Sequence, residues 1–154
     1  MRVLDFLVAE AIQLDLKASS KKEVLAELLA PLAKAGKIAD AGKMLGVLLE
    51  REELGSTGIG GQIAIPHGKA AQVKELAASL GISRAGVAFD SLDGEPVNIF
   101  FALVAPEGSA GVHLKALARI SGLLKDKAVK RALLDAASPA DVLRVLEADE
   151  PSRP

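Results

Sequence analysis

Apolar and polar residues follow one another along this chain with spacings that change from strand-like to helical. Over residues 12–16 they alternate, as in a short half-buried strand. Ser20 and Glu23 then have the spacing of a capping box, and apolar residues recur behind them at helical intervals until Gly36. Pro31 lies inside this predicted helix, so we expect a kink or an early end there.

A second helix is predicted from Asp40, a suitable N-cap, to about Leu54. It places four apolar residues on one face, namely Met44, Leu45, Leu48 and Leu49. Arg51 falls in its last turn. A glycine-rich run follows over residues 55–62, and a brief apolar strand over residues 63–65 comes next.

The middle of the chain predicts two longer strands, over residues 76–82 and 97–104. Residues 98–104 are almost continuously apolar, so we expect them at the centre of the sheet with both faces covered. A short edge strand is predicted over residues 86–89. Asp93-Gly94 predicts the turn before the central strand.

Helical patterns dominate the last third of the chain. The first helix begins after Ser109 and has an apolar stripe made of Val112, Leu114, Leu117, Ala118, Ile120, Leu123 and Leu124. Asp126 predicts the start of a second helix, which runs through Leu134. Ser138-Pro139 is typical of a helix start, here of a last helix that ends near Leu146.

This order of elements predicts one α/β domain over residues 1–148, with a mixed β-sheet of about five strands covered by helices. Residues 149–154 are expected to form a disordered tail. A chain of 154 residues fits a single domain. Half the residues are apolar, but the chain has four Phe and neither Tyr nor Trp, so we expect an aliphatic core.

Composition also narrows the function. The net charge is −1 and no basic patch is visible, so nucleic acid is not an expected partner. The chain has no cysteine, which excludes disulfides and thiol catalysis. Two histidines are too few for a metal site without a set of carboxylates, and no such set stands out. We therefore expect no metal and no cofactor.

The sequence gives no indication of insertion into a membrane. Asp5 and Glu10 interrupt the apolar N-terminal residues, where a signal sequence would need an uncharged core. The longest uncharged apolar stretch, residues 96–106, is about half the length that spans a bilayer. We therefore expect a soluble, cytoplasmic protein.

Candidate chemistry is concentrated in residues 55–69, where the glycine-rich loop leads into a short strand, Pro66 and His67. A neutral imidazole is an effective nucleophile near pH 7, because its unperturbed pKa is about 6.5, and it can accept and release a phosphoryl group. Pro66 restricts the backbone just before His67, and Gly68 lets another group approach His67 closely from behind. The alternative is a solvated loop histidine without a role.

Two further residues could assist a phosphoryl group. His113 follows a predicted loop-to-helix entry, where it could donate a hydrogen bond to phosphate beside the helix N-terminus. Alternatively it is an exposed histidine of a first turn, or one that helps to satisfy a helix end. Arg51 precedes the glycine-rich loop, and its guanidinium could grip phosphate oxygens. Alternatively it is solvated and only complements the end of its helix.

The glycine-rich loop itself is less specific. Ser56 and Thr57 could donate hydroxyl hydrogen bonds to phosphate, or they could serve only in the turn. The spacing of Gly58, Gly60 and Gly61 fits neither a Walker A loop nor a dinucleotide fingerprint. The Gly-x-Ser-x-Gly motif of a serine hydrolase is missing.

Residues 51–60, REELGSTGIG, and residues 63–69, IAIPHGK, closely resemble a known signature. It is the phosphohistidine signature of phosphotransferase-system enzyme IIA domains of the fructose/mannitol type, and above all of their nitrogen-regulatory branch. Residues 20–25 and 97–106 are similar to the family's first helix and central strand, and His113 falls where the family keeps its second histidine. The resemblance covers about residues 14–146.

The resemblance implies the small α/β sandwich of the mannitol/fructose-type enzyme IIA fold. It implies that His67 accepts phosphate from a phosphohistidine on a small carrier of the HPr type, with Arg51 and His113 beside the phosphoryl group. Such a protein is a phosphocarrier rather than a stand-alone turnover enzyme. Because the donor would be a protein, we expect a shallow, partly apolar face with Ile59 and Ile65 on its rim.

Three roles are compatible with this resemblance. A regulatory, nitrogen-type component is expected first, because no IIB or membrane IIC segment is fused in this sequence. The second role is a sugar-specific enzyme IIA that passes phosphate to a IIB domain. The third is a non-catalytic module that binds regulatory proteins, in which phosphate on His67 only changes the surface.

Overall fold

The computed structural model describes residues 1–150, which form helices on both faces of a β-sheet. A short 3-10 helix, Val3–Asp5, precedes the first strand. The α-helices are α1 (Lys21–Lys34), α2 (Ala41–Glu53), α3 (Ala110–Lys125), α4 (Lys127–Asp135) and α5 (Pro139–Asp149). The strands are β1 (Leu7–Gln13), β2 (Gly58–Gly60), β3 (Ile63–Ala64), β4 (His67–Ala70), β5 (Ala77–Val87) and β6 (Val97–Pro106).

The sheet is mixed, as the sequence predicts, and contains six strands within residues 1–150. Its order is β1-β5-β6-β3-β2, and β4 also pairs with β6. Strands β3 and β4 both run parallel to β6, whereas β5 runs antiparallel to it. Strand β6 therefore carries β3 and β4 one after the other along the same side.

Strand β6 lies at the centre of the fold, which confirms the prediction for residues 98–104. Ile99, Phe101 and Leu103 pack with α3, α4 and α5 on one face of the sheet. The residues between them pack with α1 and α2 on the other face. Successive side chains of a strand point to opposite faces, so a strand covered on both sides must be apolar throughout.

The predicted helix starts are confirmed by their caps. The Ser20 side chain accepts a hydrogen bond from the Glu23 backbone N–H, and Asp40 accepts one from Lys43. Asp126 and Ser138 cap α4 and α5 in the same way.

Pro31 does not end α1, which continues to Lys34. Proline has no N–H, so the carbonyl four residues earlier, that of Glu27, loses its helical donor. Gln13 Nε2 donates to this carbonyl at 2.9 Å instead. A side chain from β1 thus replaces the missing helical hydrogen bond, and the helix continues.

Two strand predictions are wrong in position. The first strand is β1, which ends at Gln13 rather than covering residues 12–16, and its register against β5 shifts between Leu7 and Ile12. The irregularity breaks the alternation of buried residues, so the true strand has no clear period of two. The predicted separate strand over 86–89 is the end of β5, which continues to Val87 past a second register shift.

Strands β2 and β4 were not predicted. Strand β2 is bounded by glycines, and β4 is polar and begins at His67. Such residues have little intrinsic preference for strands. Both strands form because β3 and β6 offer them partners, which local sequence does not reveal.

The buried face of α3 differs from the predicted stripe. His113, Ala116, Ile120, Leu123 and Leu124 are buried, whereas Val112, Leu114 and Ala118 are exposed. Helix α5 extends to Asp149, and Glu150 is buried beyond it, so the tail predicted over 149–154 begins inside ordered structure. Its remaining residues, 151–154, lie outside the described part. No helix within residues 1–150 is long and apolar enough to cross a membrane.

Candidate functional site

The backbone of His67 is held by the central strand. His67 is the first residue of β4, where it pairs with Leu103 of β6, and the Leu103 N–H donates to the Pro66 carbonyl at 2.8 Å. The next residue, Gly68, packs against α2. Because side chains alternate along a strand, the imidazole of His67 points to the opposite face, towards α3.

The tautomer of His67 follows from its contact with Ile65. Nδ1 lies 2.8 Å from the Ile65 carbonyl oxygen, which can only accept a hydrogen bond. The proton of the neutral ring is therefore on Nδ1. The lone pair is on Nε2, which is the nitrogen available as a nucleophile.

Burial lowers the pKa of His67, and the charges of Arg51 and Lys69 lower it further. The hydrogen bond to Ile65 and the charge of Glu52 act in the opposite direction. The lowering causes prevail, so the half-buried ring is neutral at pH 7.

His113 lies edge-on against His67. The two ring centroids are 5.3 Å apart and the ring planes meet at 70°. His113 is 6% exposed, and burial lowers its pKa to about 4, with smaller contributions from the charges of His67 and Lys69. Its Nε2 is buried and has no hydrogen-bond partner among residues 1–150. The structure thus places a neutral imidazole beside His67, on the buried face of α3.

Arg51 reaches the same place from α2. It lies in the last turn of the helix, as predicted, and its Nη1 donates to the Gly55 carbonyl at 2.9 Å. This bond holds the guanidinium at the beginning of the glycine-rich loop. The positive charge lies close enough to His67 to lower its pKa.

Arg51, His67 and His113 line one open groove of about 670 Å³. Helix α3 begins at this groove with Ala110, so the positive end of its dipole faces the space beside the imidazoles. Lys69 also lines it and was not singled out from the sequence. The arrangement combines a neutral nucleophile with cationic neighbours, which suits the transfer of an anionic group.

The groove has an apolar rim made of residues other than those predicted. Leu54 and Leu114 line it and are 85% and 67% exposed. Ile65 is 5% exposed and packs in the core, so the structure contradicts its predicted place on the partner surface. Ile59 is exposed but is not among the lining residues. The apolar pattern places Leu114 on the buried stripe of α3, so the sequence did not indicate its exposure.

Ser56 and Thr57 do not line the groove. The Ser56 hydroxyl donates to the Phe89 carbonyl at 2.6 Å and accepts from the Gly58 N–H at 3.0 Å. Thr57 is buried, and its hydroxyl donates to the Glu52 carboxylate. Both hydroxyls hold the loop in shape, and their predicted contact with phosphate has no support in this geometry.

No cluster of three or more side chains that could hold a metal ion occurs in the described part of the chain.

Comparison with known proteins identifies the class to which this fold and groove belong. The family model described as "Phosphoenolpyruvate-dependent sugar phosphotransferase system, EIIA 2" matches residues 5–149. The chain belongs to this family. The resemblance stated from the sequence is therefore confirmed, and so is the enzyme IIA fold.

Relatives of two kinds match this chain. It is 41% identical over 135 residues to the nitrogen regulatory protein of Bradyrhizobium diazoefficiens, with 86% of each chain covered. It is 38% identical over 146 residues to the fructose-specific EIIABC component of Bacillus subtilis, covering 95% of this chain but only 23% of that protein's length. The crystal structure of the nitrogen regulatory protein IIA-Ntr from Neisseria meningitidis matches with a TM-score of 0.85 and 34% identity, over 92% of this chain and 97% of that one.

Proposed function

We propose that this chain is a histidine phosphocarrier that accepts a phosphoryl group on Nε2 of His67. The observation that carries the proposal is the hydrogen bond from Nδ1 to the Ile65 carbonyl, because it directs the lone pair of a neutral imidazole to Nε2. The resemblance of residues 63–69 to the family's phosphohistidine signature supports the same residue. The proposed donor is a phosphohistidine on a carrier protein of the HPr type.

The proposed transfer needs no other reactant. The lone pair on His67 Nε2 forms the new N–P bond while the N–P bond of the donor breaks, and the donor imidazole keeps the bonding electron pair. The charge of Arg51 and the N-terminus of α3 stabilise the phosphoryl group during its transfer. His113 lies edge-on against the acceptor ring. In a second transfer of the same kind, the N–P bond of His67 would break as a nucleophile of the next acceptor binds the phosphoryl group.

The apolar rim supports a protein partner. Leu54 and Leu114 expose most of their side chains at the two sides of the groove, where a docked surface would cover them. A docked partner would also exclude water from the transfer. Leu54 and Leu114 thus take the place proposed earlier for Ile65.

We favour the regulatory, nitrogen-type role. Of the two relatives compared, the nitrogen regulatory protein is the more identical, and it matches over most of its own length. The solved IIA-Ntr structure supports the same branch. The alternative is transfer to a sugar IIB domain; a solved structure with this fold is a complex of the mannitol enzyme IIA of Escherichia coli with its phosphorylated enzyme IIB.

His67→Ala tests the phosphocarrier. We expect intact mass to show one added phosphoryl group on the wild-type chain after incubation with a phosphorylated HPr-like protein, and none on the variant. His113→Ala, which keeps the proposed nucleophile, should be labelled slowly rather than not at all. Labelling of His67→Ala at the normal rate would rule out the assignment.

A panel of purified IIB domains separates the two roles. The phosphorylated chain is incubated with each domain, and the loss of its phosphoryl group is followed by mass. Rapid loss to one sugar-specific IIB domain would support the sugar role and overturn the regulatory one. A phosphoprotein that returns its phosphate only to the HPr-like donor would support the regulatory role.

A further inference from the structure

A buried ion pair lies behind the glycine-rich loop. The side chain of Glu52 is 3% exposed, and its Oε1 lies 3.1 Å from Lys21 Nζ. Lys21 Nζ also lies 3.3 Å from the Asp90 carboxylate and 4.7 Å from the centre of the Phe89 ring. A carboxylate is costly to bury unless it is paired and hydrogen-bonded, so its presence here calls for a reason.

The Glu52 carboxylate makes two further contacts, both with Thr57. Oε1 accepts from the Thr57 backbone N–H at 3.1 Å, and Oε2 accepts from the Thr57 hydroxyl. The last turn of α2 thereby holds the backbone of the loop at the residue before β2. Lys21 holds the carboxylate in turn from the first turn of α1.

A continuous set of hydrogen bonds leads from this pair to the nucleophile. The Thr57 carbonyl accepts from the Ile65 N–H at 3.0 Å, and the Ile65 carbonyl lies 2.8 Å from His67 Nδ1. Pro66 follows Ile65 and restricts its backbone to extended conformations. The hydrogen bond to Thr57 and the residue that follows, Pro66, thus both restrict the direction of the Ile65 carbonyl.

We propose that Glu52, held in place by Lys21, is a positioning residue for phosphoryl transfer. It acts through Thr57 and Ile65, and it keeps the proton of His67 on Nδ1 and the lone pair on Nε2. This inference rests on the proposed function, because it concerns the same acceptor nitrogen. It adds residues that line no part of the groove and touch no substrate.

The arrangement has a clear chemical use. A neutral imidazole can carry its proton on either nitrogen, and only the form with the proton on Nδ1 presents Nε2 as a nucleophile. The Ile65 carbonyl selects that form only while it stays in hydrogen-bond range of Nδ1. Loss of the Glu52 contacts would free Thr57 and then Ile65, so both tautomers would be populated.

The test measures the tautomer directly. The nitrogen-15 chemical shifts of the His67 ring at neutral pH, without any donor, distinguish a protonated from an unprotonated Nδ1. We expect a single form protonated on Nδ1 in the wild-type chain and a mixture in Glu52→Ala. Phosphorylation of Glu52→Ala should be about tenfold slower or more, because a small misplacement of reacting groups is enough for such a loss. A single unchanged tautomer in Glu52→Ala would overturn the proposal.

A matched control separates positioning from general loss of stability. Glu150 is also a buried carboxylate that pairs with an arginine and accepts from a backbone N–H, and it lies outside the groove. Glu150→Gln should leave the His67 ring shifts unchanged. Equal changes of the ring shifts in Glu150→Gln and Glu52→Ala would overturn the proposal, because they would indicate a merely structural effect.

Two milder variants test the positioning role of Glu52 if Glu52→Ala does not fold. Thr57→Val removes the hydroxyl contact but keeps the backbone N–H, so we expect a smaller population of the second tautomer than in Glu52→Ala. Thr57→Ser restores the hydroxyl and should restore the wild-type ring shifts; failure to do so would count against the proposal. The ring shifts are measured without a donor, so they test the positioning role of Glu52 independently of phosphorylation. A chain in which His67 is not phosphorylated would refute the proposed function but not this role.

Discussion

At the level of single residues, His67 and His113 have the same side chain but different environments. Burial lowers the pKa of both, and that of His113 falls to about 4. Both rings are therefore neutral at pH 7, although they lie in edge-on contact. Two charged imidazoles at this distance would repel each other, and a protonated His67 would have no lone pair for phosphate.

Substitution of Arg51 tests its electrostatic effect on His67. Arg51→Gln removes a positive charge that lowers the pKa of His67, so that pKa rises. Protonation of the nucleophile then begins at a higher pH, and the phosphorylation rate falls earlier as the pH is lowered from 8 to 5. At pH 7.5 the rate should also drop roughly 10²-fold, as when one preorganised donor is lost. The measurement is the rate of labelling against pH, with an NMR titration of His67.

Arg51→Lys serves as the control. It keeps the positive charge and loses the planar fork, so the pKa of His67 should stay close to the wild-type value while transfer remains slowed. An unchanged pKa of His67 in Arg51→Gln would contradict the electrostatic role assigned here.

At the level of elements, the site depends on how closely β4 packs against α2. A Cβ on Gly68 would lie 2.7 Å from Val47 Cγ1 and 3.4 Å from atoms of Met44 and Leu48. Valine is stiff at this position in a helix, so the added methyl must move the backbone of one element. Because α2 carries Arg51 and β4 carries His67, this contact sets their separation.

Gly68→Ala should therefore destabilise the fold and disturb the site together. We expect a loss of about 1–3 kcal/mol in the free energy of unfolding, the usual cost of overpacking a core. Gly46→Ala is the matched control, since a Cβ at Gly46 of α2 meets nothing within 4 Å. It should stabilise the chain by about 0.5–1 kcal/mol.

The readout for both variants is urea unfolding. Adding Val47→Ala to Gly68→Ala should recover part of the loss, because it removes the methyl in conflict. Equal stabilities of Gly68→Ala and wild type would contradict the close packing of β4 against α2.

At the level of the whole molecule, the two ends of the described chain are tied together. The buried side chain of Glu150 accepts from the Val3 N–H at 2.8 Å and from Arg119 of α3. Arg2 Nη1 also donates to the Glu150 carbonyl at 3.3 Å. The end of α5, the 3-10 helix and α3 thus meet at one carboxylate.

Glu150→Ala should weaken the whole fold. It leaves the buried Val3 N–H without its acceptor, which costs about 1–3 kcal/mol in the free energy of unfolding. Glu147→Ala breaks only the exposed pair with Arg2, so it should cost about 1 kcal/mol or less. Urea denaturation compares the two, and equal midpoints would contradict the role given to Glu150.

The sequence predicted much of the fold and the motif. The features that it did not predict depend on contacts between distant parts of the chain. The caps at Ser20, Asp40, Asp126 and Ser138 were correct because a cap is decided within four residues. The irregular strand β1, the polar strand β4 and the place of Ile65 were missed. Each of these depends on a partner strand or helix far away in the chain.

What the sequence alone determined is therefore local. The helix starts, the apolar central strand and the signature around His67 can each be recognised from residues that are neighbours in the sequence. Only the tertiary structure decided which nitrogen of His67 is free, which leucines surround it, and that Glu52 and Lys21 lie behind it. These features arise where segments distant in sequence pack together, and the free energy of that packing is set by contacts that no single segment contains.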